Sequence, residues 1–186
     1  MDTRRGGRIM AHQLLLKAIK HSAWASQETA CYQAKLYVDG KSFAYVSNDG
    51  HGGPDRVDRD PKYKGNWSEV MREVTEGFND ETRFPREAPC ELFPEGWGEN
   101  LETWCGKRLD EHLACKDMKR AMKKKCLFLF ENEEGVYQSD WHPPVTNGDW
   151  TKLPNQKVRR KILNDLPEDI ALMYYMGKIP VNGATS

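Results

Sequence analysis

What this chain lacks narrows it quickly. No uninterrupted apolar run approaches the roughly 18 residues that suggest a membrane span. The apolar stretch nearest the N-terminus, Leu14-Leu15-Leu16, is cut by Lys17 and Lys20. There is no excess of either charge: Lys plus Arg and Asp plus Glu each number 28. A neutral chain has no global electrostatic drive towards nucleic acid or an anionic membrane, so any such binding falls to local patches. Cysteine is sparse and odd in number, five residues spread over Cys31, Cys90, Cys105, Cys115 and Cys126. That spacing fits reduced thiols better than a disulfide framework. Paired CxxC knuckles, a G-x-S-x-G elbow, a phosphate loop ending in Gly-Lys-Ser/Thr, and the dinucleotide fingerprint are all missing. So are internal repeats and low-complexity tracts.

What is present is enough for a globular protein. The 186 residues can bury a core, and six tryptophans within a 38% hydrophobic composition argue against disorder. The expected organisation is a basic, glycine-containing arm over residues 1–9, a single α+β domain over 10–180, and a tail over 181–186. Met10 is a second candidate start. The N-terminus faintly imitates a signal peptide but has no clean small-residue cleavage site, so the expectation is a cytoplasmic protein with no membrane association.

The best-defined stretch runs from Cys31 to Gly53. Tyr32, Ala34, Leu36 and Val38 alternate with Gln33, Lys35 and Tyr37 as a half-buried strand does. Asp39-Gly40 then reads as a two-residue hairpin turn, because both residues tolerate positive φ. Phe43 to Val46 forms the return strand. A further strand is expected before the hairpin, over about 14–21. Residues 47–65 are too rich in Gly, Pro and Asp for regular structure. Asn66 or Ser68 caps a helix carrying Trp67, Val70, Met71, Val74 and Phe78 on one face. The Pro- and Gly-rich segment 79–98 reads as an irregular connection pinned by Phe84, Leu92, Phe93 and Trp97.

A long helix follows over about 100–124, with Leu101, Trp104, Cys105, Leu109, His112, Leu113, Met118 and Met122 near one stripe and lysines at its C-terminal end. Cys126 to Phe130 is apolar on both faces and reads as a central strand, with 136–141 as its hairpin partner. A short helix is expected over 155–164. The last helix is signalled by Pro167 at its start, Glu168 and Asp169 in its first turn, and Gly177 past its end. The two hairpins are expected to share one mostly antiparallel sheet, covered by the long helix and the C-terminal helices.

Three constellations bear on chemistry. In the loop Asn48-Asp49-Gly50-His51-Gly52-Gly53, glycines let backbone N–H groups approach a ligand. Asp49, His51 and Asp55 are candidate acid–base or metal-binding groups, and Asp55, Asp58 and Asp60 offer carboxylates for a divalent cation. The plain alternative is a wide turn in which glycine supplies positive φ. On the long helix, Cys105, His112 and Cys115 are weak candidate metal ligands that still need a fourth from elsewhere, such as Cys90 or Cys126. Buried free thiols are the plainer reading. Basic residues cluster at 116–125, including Lys119, Arg120, Lys123 and Lys124, and at 157–161, including Arg159 and Arg160. Either could contact nucleic acid, and solvated basic surface is the alternative.

The run ASQETACYQAKLYVDGKSFAYVSNDGHGG, residues 25–53, resembles a segment of small phage and prophage proteins. The resemblance implies a hairpin ending in a glycine-rich loop and a viral or mobile-element gene expressed in a bacterial host cytoplasm. It brings no activity and no catalytic residue. Small proteins of that kind often bind host or viral macromolecules. The expectation is therefore an α+β, non-enzymatic binding protein, a phage-type accessory factor that grips a protein partner through the glycine loop and nearby aromatics. No cofactor is expected. One alternative is a metal-dependent hydrolase or nucleotide-processing enzyme using Asp49, His51 and Asp55. Another is a nucleic-acid binder using the two basic clusters.

Overall fold

A computed structural model describes residues 12–86, 88, 98–131, 133–140, 149–152 and 159–179. The fold is α+β, with two antiparallel four-stranded sheets and three α-helices among the described residues. The chain divides into two compact units, Met1–Leu109 and Asp110–Ser186.

In the first unit the strands run in the order β1 (Leu14–His21), β2 (Tyr32–Val38), β3 (Lys41–Asn48) and β4 (Arg56–Arg59). The β2–β3 turn is the one its sequence demands, with φ of +49° at Asp39 and +77° at Gly40. Tyr32, Ala34, Leu36 and Val38 face inward and are buried. Between Leu36 and Tyr37 the register slips, since Leu36 pairs with Ala44 but Tyr37 pairs with Ser42. Phe43 is the extra residue of this bulge, and both Phe43 and Ala44 are fully buried as a result. Phe43 meets Tyr63 edge-on at 5.0 Å and stacks on Trp67 at 5.8 Å. A second irregularity in β1 lies between Lys17 and Lys20, where Ala18 takes a φ of +51°.

The helix α1 (Trp67–Gly77) begins where Asn66 accepts a hydrogen bond from the Glu69 N–H, and it buries Val74. His12 ties this helix to the hairpin. Its Nδ1 lies 2.7 Å from Asp39 Oδ2 and its Nε2 lies 3.0 Å from Glu73 Oε2. Phe84 packs on Phe78 at 4.6 Å. Of the 79–98 connection, Pro89, Cys90, Leu92, Phe93, Pro94, Gly96 and Trp97 lie outside the described residues.

The unit boundary falls within α2 (Leu101–Met122). In the second unit the sheet order is β6 (Tyr137–Ser139), β5 (Cys126–Phe130), β8 (Arg159–Ile162) and β7 (Thr151–Lys152). Its core joins Met118 of α2 to Leu127 and Leu129 of β5, Leu163, and Ala171 of α3 (Glu168–Tyr175). Asn164 closes the end of α2. Its Oδ1 accepts the Leu127 N–H at 2.7 Å and its Nδ2 donates to the Lys125 carbonyl at 3.1 Å.

Several expectations need correction. The two hairpins belong to separate sheets, because β5 takes β8 rather than a strand of the first hairpin as its second neighbour. The segment 56–59, expected as loop, is a strand whose Ala44–Arg59 to Ser47–Arg56 pairing supplies the backbone partners that its polar composition obscured. The expected helix over 155–164 is, in its described part, strand β8 followed by a single 3-10 turn over Leu163–Asp165. Pairing with β5 overrides the helical pattern there. His112 does not share the buried stripe of α2. It is exposed, whereas Trp104, Cys105, Leu109 and Met118 are buried.

Two outcomes follow from this packing. Phe43→Ala is expected to destabilise the first unit by about 3–5 kcal/mol, read by denaturant unfolding, because an aromatic with two ring partners leaves a cavity. The His12 contacts make stability depend on pH. Burial lowers the His12 pKa, but hydrogen bonds to Asp39 and Glu73 outweigh it and leave the value above 6.5. The His12 bond, followed by the Gln13 N–H, holds Asp39 below 3.8. The raised His12 contributes fully below its ordinary pKa of 6.5 and is lost as pH rises through the folded value. The lowered Asp39 contributes fully above 3.8 and is lost as pH falls through its folded value. Thermal unfolding across pH should show a plateau between these limits, and His12→Gln should flatten its alkaline shoulder by about 1 kcal/mol or less.

Candidate functional site

The loop after β3 is held by one side chain. Asn48 is 8% exposed and uses both ends of its amide. Its Oδ1 accepts the Gly50 N–H at 2.9 Å and the Thr29 hydroxyl at 2.7 Å. Its Nδ2 donates to the Gly53 carbonyl at 2.9 Å and to Asp55 Oδ1 at 3.0 Å. A buried amide with four partners leaves little freedom in the loop.

The glycines answer to the segment before β2. Gly50 has φ +87°, and a Cβ there would collide with the carbonyl oxygen of Ala25. The Gly50 carbonyl in turn receives the N–H groups of Gln27 and Glu28 at 3.0 Å and of Thr29 at 3.3 Å. Gly52 has φ +84°, which favours glycine, and a Cβ there would displace only the carboxylate end of the exposed Glu28 side chain. A Cβ at Gly53 would meet open space. Ser26 completes the clasp, donating to the Ser22 carbonyl and accepting the Cys31 N–H, both at 2.9 Å.

The consequence is a presented tryptophan. The turn Ala23–Ala25 is a single 3-10 turn with no buried residue, and Trp24 on it is 90% exposed. An indole buries roughly 150–250 Å² when covered. At about 25 cal/mol per Å² that is about 4–6 kcal/mol of unrealised burial. Trp24 was not among the residues singled out from the sequence, where it reads as one apolar residue among several.

The polar candidates have separate partners. Asp49 is exposed, and its Oδ1 accepts the His51 N–H at 3.1 Å, a local side-chain turn. His51 is exposed, with Nδ1 3.3 Å from Gln27 Oε1. Asp55 accepts the Tyr32 hydroxyl and the Asn48 amide, and its own N–H donates to Glu102 Oε1 at 3.2 Å. Asp58 is exposed, whereas Asp60 is buried and accepts the Ser42 hydroxyl at 2.6 Å and the Lys62 N–H at 2.9 Å. Among the described residues no group of three or more His, Cys, Asp or Glu side chains is placed to hold a metal ion.

Asp55 and Glu102 line a cavity of about 240 Å³ with Val46, Val57, Leu101 and Cys105. Burial, then the negative charges of Asp55 and Glu102, push the Cys105 thiol up to about 12. Burial, then the hydrogen bond to Asp55, raises the Tyr32 phenol above its ordinary value. Both groups therefore stay protonated at neutral pH, and neither is an activated nucleophile.

The cysteines of the long helix also diverge. Cys105 is buried, while Cys115 is half-buried with its thiol donating to Glu168 Oε1 at 3.6 Å. Cys105 and His112 are separated by about 10 Å of helix rise, far for shared bonds of about 2 Å to one zinc ion. Among the described cysteines, Cys31, Cys105, Cys115 and Cys126 are free thiols.

The two basic clusters differ in kind. Lys116, Lys119 and Arg120 are exposed on α2, and Lys123 and Lys124 are exposed on the turn that follows it. Of 157–161, Lys157 and Val158 lie outside the described residues. Arg160 is 7% exposed, and Lys161 sits 5.1 Å from the Trp150 ring and 5.2 Å from the Tyr174 ring. Arg159 is exposed and pairs loosely with Glu131 at 3.8 Å. No described helix is long and apolar enough to cross a membrane.

A contrast of glycines tests the clasp. Gly50→Ala should destabilise the first unit by about 1–3 kcal/mol, since it adds a strained φ and a backbone collision. Gly53→Ala should stay within about 0.5 kcal/mol. Both are read as shifts in denaturant midpoint, and equal shifts would remove the clasp as a constraint.

No family model matches the chain, no curated protein matches it, and no solved structure matches it.

Proposed function

We propose that this chain is a non-enzymatic binding protein that grips a protein partner through Trp24 and the glycine loop beside it. The observation that carries the reading is the 90% exposure of Trp24 on a turn whose following residues are hydrogen-bonded to Gly50. An exposed indole on a freely moving loop would lose much of its binding energy to ordering. Held in place by the Asn48–Gly50 clasp, it is pre-organised as interface anchors are. His51, Gln27 and Asp49 lie in the same clasp and supply exposed polar groups for a rim. A phage-type accessory role in a bacterial cytoplasm belongs to the same proposal, and its one support is the resemblance of the run 25–53 to phage and prophage proteins.

The hydrolase reading has less support. No hydrogen bond joins the side chains of Asp49, His51 and Asp55: Asp49 accepts the His51 backbone N–H, the His51 ring faces Gln27, and Asp55 accepts from Tyr32 and Asn48. A general base and its partner must come within hydrogen-bond reach.

The test is affinity capture from bacterial lysate with the wild type, Trp24→Ala, and Asp49→Ala/His51→Ala, analysing bound protein, nucleic acid and metal together. Wild type should retain a stoichiometric protein, and Trp24→Ala should lose at least tenfold of it while keeping its thermal transition. The double variant should lose less, as rim residues do. Equal capture by wild type and Trp24→Ala would sink the reading, and bound metal or nucleotide without a protein would favour the hydrolase.

A further inference from the structure

We propose that the exposed face of α2 from His112, continued by Lys123 in the turn just after it, is a second binding surface, independent of Trp24, that takes the phosphodiester backbone of duplex nucleic acid. His112, Lys116, Lys119, Arg120 and Lys123 recur at spacings of three and four residues, which places them on one face of the helix. Together with Cys115 they line a concave region of about 480 Å³. Four cations therefore converge on one depression in a protein whose formal net charge is zero.

These charges are weakly compensated. Lys119 lies 2.8 Å from Glu168 Oε2, and Arg120 lies 3.3 Å from Asp117 Oδ1. The four side chains in these two pairs are at least half exposed, at 51–68%. Exposed pairs of this kind contribute little and yield readily to a stronger anion. Lys116 and Lys123 have no carboxylate partner among the described residues.

The chemistry selects among polyanions. From Lys116 to Lys123 the helix rises about 10 Å, three times the roughly 3.4 Å per charge along one DNA strand. Membrane surfaces are held by amphipathic helices that insert apolar side chains. Here Leu109 and Met118 of α2 are buried, so they are not available to insert. Single strands are held largely by aromatic stacking, and this face carries only the His112 ring. A rigid, backbone-reading contact with a duplex is what remains. It carries no base-reading element, so the binding should be independent of sequence.

The experiment is fluorescence anisotropy with a labelled 20-base-pair DNA duplex and the full chain, titrated over a range of salt. Wild type should bind with a log–log salt slope of about −2 to −3, as expected for two or three phosphates. Lys116→Ala/Arg120→Ala/Lys123→Ala should weaken binding at least tenfold at low salt and flatten the slope, while an unchanged melt shows that it folds. Lys116→Arg/Lys123→Arg should bind as wild type, and so should Trp24→Ala. The proposal is overturned if the folded triple variant binds equally. It is also overturned if poly-glutamate, anionic phosphatidylglycerol vesicles, or a single-stranded 20-mer bind as tightly as the duplex.

Discussion

The Asn48 amide is the constraint on which the first unit depends. It stands at the end of β3, where a polar side chain 8% exposed must satisfy every donor and acceptor it carries. It does so by binding three otherwise separate pieces: Thr29 before β2, Gly50 and Gly53 in the loop, and Asp55 ahead of β4. Because both ends of the amide are used, none of these pieces can move without leaving a buried polar atom unpaired. Loss of that arrangement would release the 23–25 turn and the approach to β4 together.

That economy explains why the loop is better read as scaffold than as reaction centre. Its glycines answer to a close backbone approach at Gly50 and to positive φ at Gly50 and Gly52, which needs no cradle for an anion. The carboxylates near it are already partnered, and the thiol and phenol beside Asp55 are driven towards their protonated forms by burial and by the same negative charges. What the scaffold leaves over is the indole of Trp24, held out in water by a clasp of backbone and side-chain hydrogen bonds.

The second unit solves a different problem with similar means. Met118 points one side of α2 into the core with Leu127, Leu129, Leu163 and Ala171, and Asn164 fastens the helix end to β5. The opposite side is then free to carry charge. Lysines near a helix C-terminus are favoured by the dipole in any case, so their number alone says little. Their alignment along a single depression is what distinguishes Lys116 to Lys123 from the second cluster, where Arg160 is buried and Lys161 lies over aromatic rings.

Local chemistry was enough to place the β2–β3 hairpin, to narrow the α1 cap to Asn66 or Ser68, and to mark the C-terminal end of α3 from the residues themselves. Positive φ at Asp39-Gly40, a side chain that satisfies an orphan N–H, and a glycine with φ +67° at Gly177 are demands met within a few residues. The strands β4 and β8 were not legible that way, because Arg56–Arg59 and Arg159–Ile162 acquire their conformation from partners β3 and β5, distant in sequence. The same holds for the sites. Spacing could put Cys105, His112 and Cys115 near one helical face, but only packing decided that the first is buried and the second exposed. Trp24 carries no local mark of its role. Its exposure follows from long-range hydrogen bonds to Gly50, and burial is a property of the assembled chain rather than of any segment.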